Sequence, residues 1–255
     1  MSKELEVAIK AAKEAGKILD HHFETTLEHE HKEDRSIVTK ADIEADEVVI
    51  DEIQKNFPDH QIHSEERGIV GGDSEYVWAI DPLDGTMNFV RSIPIFSTSI
   101  ALLKGEDPIV AVIYNPITNS LFTAEKGKGA LWNNKKIEVS KVEKLSDSVV
   151  SIGRARDKDN KQKTLAIYNK LYFNILSQRV LGSAALELAY TASGRLEGFI
   201  SVGLKKWDVA AGLLLISEAG GKITDYEGGS VDNEQNHFIA TNGRIHGELL
   251  DILKE

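Results

Sequence analysis

The chain has 255 residues, 41% of them hydrophobic and 28% charged, enough apolar material for a sizeable core in one large domain or two small ones. Its net charge of −11 argues against broad nucleic-acid binding, which needs a basic face, but leaves a phosphate substrate open where bound cations reverse the local sign. The absence of cysteine excludes disulfides, thiol nucleophiles and thiolate metal sites and fits a reducing cytoplasm; with no apolar run near about 18 residues and a charged N-terminus, neither a membrane span nor a signal peptide is expected.

Residues 3–22 read as an amphipathic helix, with Leu5, Ile9, Ala12, Gly16 and Leu19 recurring at spacings of three and four. The stretch from Glu24 to Arg35 is highly charged. His29 and His31 alternate there with glutamates, but without fixed ligand spacing or an apolar frame they read as a solvated loop rather than a zinc site. Thr39 is a good N-cap and Asp42 falls at N3 of a helix running through Ile43, Glu47, Ile50 and Ile53 to about Asn56, where Pro58 closes it. A capping box with Asp in place of Glu accounts for this pair locally. Gln61 to Ser64 is a short strand ending in Glu65 and Glu66, followed by a loop at Arg67-Gly68. Acid pairs of that kind are usually surface.

The most informative stretch is Tyr76-Val77-Trp78-Ala79-Ile80-Asp81-Pro82-Leu83-Asp84-Gly85-Thr86-Met87-Asn88-Phe89. It begins as a buried strand and then turns abruptly polar. Pro82 lacks an N–H and fixes φ, so the strand is expected to stop there, with Asp81 at its end and Asp84 in the turn beyond. Carboxylates at the C-terminal end of a strand line the crevice where open α/β sheets bind ligands. Gly85 permits close approach of a ligand, and N–H groups at Gly85 and Thr86 could cradle a phosphate if a helix begins here. Asp, Pro and Gly are also ordinary turn residues, so a plain surface turn competes with this reading.

Strands are expected at 95–103, 109–114 and 120–125, with a tight hairpin at Asn133-Asn134, since Asn tolerates positive φ. Lys126-Gly127-Lys128-Gly129 lacks the spacing of a phosphate loop and reads as a hairpin. The second half opens near 148 with Val149, Val150 and Ile152; residues 154–163 read as a helix start or a subdomain seam. Leu165, Ile167, Leu171 and Ile175 could line a helix, Gln178 to Leu181 a strand, and Ser183 caps a helix that Gly194 stops. After a strand at Glu197 to Val202, Trp207-Asp208 opens a helix whose first-turn acid suits the macrodipole. Strands near 222–225 and 237–241 and a helix at 245–254 complete a mixed α/β pattern without internal repeats.

Four of these pieces resemble one family. Asp81 to Phe89 is similar to the metal-binding signature D-P-[IL]-D-G-T-x-N-F of the inositol monophosphatases; Thr39 and Asp42 stand where that family has T-x-x-D. Ser64-Glu65-Glu66 resembles its G-E-E with glycine replaced, and Trp207 to Gly212 with Glu218-Ala219-Gly220-Gly221 resembles its second signature. The matching segments run from about 37 to 221 in family order.

The resemblance implies a layered αβαβα sandwich of the sugar-phosphatase type: one phosphatase domain with subdomains of roughly 1–147 and 148–255. It implies a magnesium-dependent, lithium-sensitive, homodimeric phosphomonoesterase that hydrolyses inositol monophosphate by attack of water, without a covalent phosphoenzyme. Two or three Mg2+ ions would be held by Glu65, Asp81 and the Leu83 carbonyl, with Asp81 bridging to an ion bound by Asp84 and Asp208. Asp42 and Thr86 would orient or deprotonate the water. Leu83, Asp84 and the amides of Gly85 and Thr86 would bind the phosphate end of a small phosphorylated polyol or sugar, and Gly182, Ser183, Ala184 and Asp208 its alcohol side. The residue types suit this chemistry, because packed carboxylates repel without cations and hard oxygen ligands favour magnesium.

Two departures bear on the substrate. Ser201 stands where animal members carry a Glu that contacts inositol, and Arg91 replaces a common His. Fructose 1,6-bisphosphate or another sugar or nucleotide phosphate is therefore the alternative substrate. A haloacid-dehalogenase-type phosphatase is a poor match, because its two acids lie two residues apart and Asp81 and Asp84 lie three apart, with Pro82 between them. A same-fold regulatory protein binding an RNA or protein partner is the reading from another class; a missing ligand would favour it, and all four carboxylates and Thr86 are present.

Overall fold

The alternation of apolar strands with amphipathic helices produces five layers in the computed structural model, which describes residues 1–25, 29–31, 37–153, 157–231 and 237–254. In the first half α1 (Lys3–His22), a ribbon of β1 (His29–His31) and β2 (Ile37–Thr39), and α2 (Lys40–Asn56) precede a sheet. That sheet comprises β3 (Gln61–Ser64), β4 (Gly68–Val70), β5 (Tyr76–Asp84), β6 (Ser97–Lys104), β7 (Asp107–Asn115), β8 (Ser120–Glu125), β9 (Ala130–Trp132) and β10 (Lys135–Ile137), with α3 (Thr86–Val90) between β5 and β6. Its order is β10-β9-β8-β7-β6-β5-β3-β4, antiparallel except for the parallel pair β3 and β5. A single 3-10 turn at Leu145–Asp147 leads into the second half.

The second sheet has the order β12-β11-β13-β15-β14, from β11 (Val149–Ile152), β12 (Ser177–Arg179), β13 (Gly198–Val202), β14 (Lys222–Thr224) and β15 (His237–Thr241). Four helices accompany it: α4 (Lys158–Leu171), α5 (Ala184–Ala192), α6 (Lys206–Glu218) and α7 (His246–Lys254). Helices α1 and α2 cover one face of the first sheet, α5 and α6 lie between the sheets, and α4 and α7 cover the far face of the second. Among the described residues no helix is long and apolar enough to cross a membrane.

Small residues set the layer spacing. Ala8, Ala11, Ala12 and Ala15 of α1 are fully buried, and a Cβ at Gly16 would lie 2.5 Å from the Tyr114 ring, so α1 rests directly on β7. Between the sheets a Cβ at Gly212 would lie 2.4 Å from Leu188 Cβ, so α5 and α6 touch through glycine. Larger side chains fill the faces on either side: Trp78 and Phe96 under α1 and α2, Phe122, Phe199 and Phe238 against α5 and α6. Full burial of each such ring stabilises by roughly 1.5–3 kcal/mol.

Three expectations change. β5 does not stop at Pro82. It pairs with β3 only as far as Ile80 and Ser64, so Pro82 has no donor to supply on that side. On the other side Asp81 pairs with Ser99 and Asp84 with Ser97, so Pro82 and Leu83 together face Thr98 in a bulge. In α4 only Ile167 and Leu171 are buried; Leu165 is 60% exposed and Ile175 lies beyond the helix end. Among the described residues its main neighbours are α7 and β13, so its apolar stripe is narrower than the sequence pattern. The charged stretch 24–35 contains a short strand, His29–His31, and the rest of it after Thr25 lies outside the described residues, as do 154–156 of the expected seam.

His246 ties the second sheet to α7 through a directed chain. Thr224 Oγ1 donates to the Asp225 carbonyl (2.7 Å) and so accepts from His246 Nε2–H (2.9 Å). Thr241 Oγ1 accepts from Gly243 N (3.0 Å) and donates to His246 Nδ1 (2.8 Å). The neutral ring satisfies both hydroxyls. Burial, helped by the Lys222 charge, pushes the imidazole down from 6.5 to about 4. The unfolded chain takes up a proton below about pH 6.5 that the folded chain refuses until about pH 4, so stability is full above that window and falls through it. In urea unfolding, the loss of stability between pH 7 and pH 4.5 is expected to be about 2 kcal/mol smaller in His246→Gln than in the native chain.

Candidate active site

The bulge in β5 and the end of β3 place the first acids. Glu65 follows Ser64 with its N–H on the Ile80 carbonyl (3.0 Å), which keeps the turn against β5. Asp81 is buried, and its Oδ1 accepts from Leu83 N (3.0 Å) across the bulge. Asp208, the third residue of α6, is also buried, and its Oδ2 accepts from Lys205 N (2.8 Å). Glu65, Asp81 and Asp208 each offer one carboxylate oxygen, and the three atoms lie within 4.8 Å of one another. Like charges at that spacing repel by on the order of 3 kcal/mol per pair at an effective dielectric of about 20. Three convergent carboxylates with only oxygen donors fit a hard divalent cation such as Mg2+.

Asp84 stands to one side of this trio. Its carboxylate accepts from Ser183 Oγ (2.6 Å), Ala185 N (2.8 Å) and Ala184 N (3.2 Å), capping the N-terminus of α5 across 99 to 101 residues of chain. Burial raises its carboxyl to about 6 against the pull of those three bonds, and the Glu65 charge pushes the same way. The structure therefore joins Asp84 to Ser183 and Ala184, on the border of the carboxylate trio.

Asp42 and Thr86 meet as a pair. Asp42 Oδ2 accepts from Thr39 N (2.8 Å) and Thr39 Oγ1 (2.5 Å), which leaves Oδ1 facing Thr86 Oγ1 at 3.2 Å. The same Thr86 hydroxyl is 3.1 Å from the Leu83 carbonyl. Burial pushes Asp42 up to about 7; the Thr39 bonds oppose this, and Glu66 and Glu65 add to it. Capping box and site pair are the same side chain. Gly85, the residue before α3, has φ +100°, and a Cβ there would sit 2.9 Å from the Ile95 carbonyl, so glycine is required twice over. The first N–H groups of α3 then have no carbonyl partners within the helix.

Three residues were not assigned roles by the sequence. Asn88 donates to Leu181 O (2.7 Å) and Ile95 O (2.8 Å), and a Cβ at Gly182, whose φ is +81°, would lie 3.1 Å from its Nδ2. It fastens the loop at 181–183 to α3; its place inside the D-P-[IL]-D-G-T-x-N-F signature was the available signal. Glu187 Oε1 accepts from Ser151 Oγ (2.5 Å) and Leu181 N (2.6 Å), and burial, with Asp84 nearby, raises it to about 8. Asp46 is fully buried beneath the Glu65 turn. Ser201 is fully buried in β13, where Tyr226 Oη donates to its carbonyl (2.5 Å), and Arg91 is exposed just after α3.

The chain matches the model of the inositol monophosphatase family over residues 1–255. It is 40% identical over 259 residues to Nus factor SuhB of Pasteurella multocida, covering 100% of this chain and 97% of that protein. It is 39% identical over 255 residues to inositol-1-monophosphatase of Mesorhizobium japonicum, covering 98% and 96%. Among solved structures, extragenic suppressor protein suhB from Bartonella henselae superposes with a TM-score of 0.95 at 37% identity, covering 100% of this chain and 99% of that one.

Mutual repulsion in the trio makes a direct prediction about stability. Mg2+ at about 100 times its dissociation constant is expected to raise the unfolding free energy by about 2.7 kcal/mol. Asp81→Asn, which removes one repelling charge but keeps an oxygen for Leu83 N, should be more stable than the native chain in chelator and gain less from Mg2+. Thermal melts with and without Mg2+ read both effects; identical gains in the two proteins would show that the trio holds no cation.

Proposed function

This chain belongs to the inositol monophosphatase family, and we propose that it is a magnesium-dependent phosphomonoesterase that hydrolyses inositol monophosphate to inositol and phosphate by direct attack of water. The observation that carries this reading is the convergence of Glu65, Asp81 and Asp208 within 4.8 Å, beside the Asp42 and Thr86 pair. Glu65, Asp81 and Asp208, with the Leu83 carbonyl and the neighbouring Asp84, would hold two or three Mg2+ ions. When bound, these ions would neutralise the phosphate and ease ionisation of water and of the leaving alkoxide.

The chain's own groups do the rest. The attacking water donates to Thr86 Oγ1, whose proton points to Asp42 Oδ1; with Oδ2 fixed by Thr39, Asp42 presents one oxygen for the proton. A carboxyl near pH 7 is well matched to that transfer. The amides of Gly85 and Thr86, at the start of α3, receive the phosphate. Gly182, Ser183 and Ala184 meet the alcohol together with Asp208, and Asp84 holds them in register with the phosphate end.

Fructose 1,6-bisphosphate or another sugar or nucleotide phosphate is the alternative substrate, favoured by Ser201 and Arg91. Relatives named Nus factor SuhB favour a second reading, in which the fold also serves by binding a protein or RNA partner. We infer a homodimer as well, for which the exposed row Leu165, Tyr168, Tyr172, Phe173, Leu176 and Val180 offers an apolar surface to a second copy.

Phosphate release measured across inositol monophosphate, fructose 1,6-bisphosphate, nucleotide phosphates and histidinol phosphate should vanish with chelator and return with Mg2+. Thr86→Ala should keep Mg2+ binding but lose on the order of 10²-fold in rate. In a single turnover in ¹⁸O-labelled water the label should enter the released phosphate; an acid-quenched phosphoenzyme at Asp81 would overturn direct attack. Phe173→Asp should sediment as a monomer; an unchanged dimer would place the interface elsewhere. If Thr86→Ala still replaces the native gene in its own cell, the cell's need rests on binding rather than hydrolysis.

A further inference from the structure

One departure from the family pattern, Ser64 in place of the glycine before Glu65-Glu66, sits in a closed circuit of hydrogen bonds. Ser64 is fully buried at the end of β3. Its Oγ accepts from Glu66 N (3.1 Å) and Arg67 N (3.2 Å), and its one proton goes to Asp46 Oδ1 (2.5 Å). Asp46 Oδ2 lies 3.7 Å from Arg67 Nε, and Arg67 Nη2 lies 3.3 Å from Glu47 Oε1. The circuit therefore runs from the Arg67 amide to Ser64, from Ser64 to Asp46, and from Asp46 back to the Arg67 guanidinium. It encloses the Glu65–Glu66 turn.

The circuit also has a direction and an anchor. The hydroxyl uses both lone pairs on amides, so its proton is committed to Asp46, which must accept. Asp46 lies one helical turn after Asp42 on α2, so the two carboxylates share a face. One turn of α2 reaches Thr86 through Asp42, and the next reaches the Glu65 turn through Asp46 and Ser64. A glycine at 64 would supply neither the acceptor for the two amides nor the donor for the buried carboxylate.

We propose that Asp46, Ser64 and Arg67 form a positioning relay that fixes the Glu65 carboxylate toward Asp81 and Asp208 and sets it in register with Asp42 and Thr86. The inference rests on the reading of Glu65, Asp81 and Asp208 as the cation site. Groups that orient a metal ligand from behind govern affinity, and their loss typically costs about 10- to 100-fold.

Ser64→Ala is the sharpest test because it changes no charge, so a loss of cation affinity cannot be Coulombic. Mg2+ binding to the full chain, measured by titration calorimetry below the melting temperature, should weaken about tenfold or more. Ile53→Val trims the core face of the same helix without touching the circuit; it should lower the melting temperature and leave Mg2+ affinity unchanged. Ser64→Ala binding within twofold of native, in a folded protein whose Glu65→Gln variant binds weakly, overturns the relay alone. Unaltered Mg2+ binding in Glu65→Gln overturns the cation-site reading, and the relay with it. If Ser64→Ala does not fold, Asp46→Leu decides, because it leaves the Ser64 proton no acceptor. Weakened binding at both low and high ionic strength supports the relay, whereas weakening only at low ionic strength marks screened charge and overturns it.

Discussion

A carboxylate taken out of water must be met by donors or by a cation, and the centre of this molecule is arranged around that requirement. Asp42 is met by Thr39 and Thr86, Asp84 by Ser183, Ala184 and Ala185, and Glu187 by Ser151 and Leu181. Each is bound to a different element, so the acids act as pins between layers. Glu65, Asp81 and Asp208 differ because they converge on one another. At that convergence the proposed cation would supply counter-charge to all three at once.

The β5 bulge makes that arrangement geometrically available. A regular strand would send Asp81 and Asp84, an odd number of residues apart, to opposite faces. Two residues facing Thr98 break the alternation, and Thr98 Oγ1 secures the bulge by donating to the Pro82 carbonyl (3.0 Å). Asp81 can then point to Glu65 and Asp208 while Asp84 reaches α5. Gly85, in the left-handed region, follows at once as the residue before α3. The order Asp-Pro-Leu-Asp-Gly-Thr is thus a bulge, a left-handed residue and a helix start in six positions.

The parts legible in the sequence were those with short-range causes. Thr39 and Asp42 lie three residues apart, so their capping box is written locally; α1 follows from apolar periodicity, and α2 from periodicity with Thr39 and Pro58 at its ends. Pro82 was misjudged because a proline forbids a ladder bond only where a neighbouring strand would accept it, and β3 has already ended. Asp84 capping α5 depends on a contact about 100 residues away, for which a single sequence carries no signal. Asp46 and Glu187 look like any helix acid; their burial is decided by which face α2 and α5 present to the layers beneath. Leu165 shows the converse, an apolar residue on a helix face that none of the described layers covers.

The proposed cation site lies between the layers of the fold. Glu65 and Asp81 belong to the first sheet, and Asp208 opens α6, which lies between the sheets. Asp84 reaches from the first sheet to α5, the other helix of that middle layer. Without a counter-charge the mutual repulsion of the trio acts between β5 and the first turn of α6, whereas Asp84 bonds the same strand to the first turn of α5. Where α5 and α6 meet, Gly212 lies directly against Leu188, which leaves no slack at that contact. The opposing forces fall on the first turns of α5 and α6, which carry the loops expected to meet the alcohol side of the substrate. A cation held by the trio, as proposed, would tie the first turn of α6 to β5 where Asp84 already ties the first turn of α5, so both middle-layer helices would be fastened to one strand end.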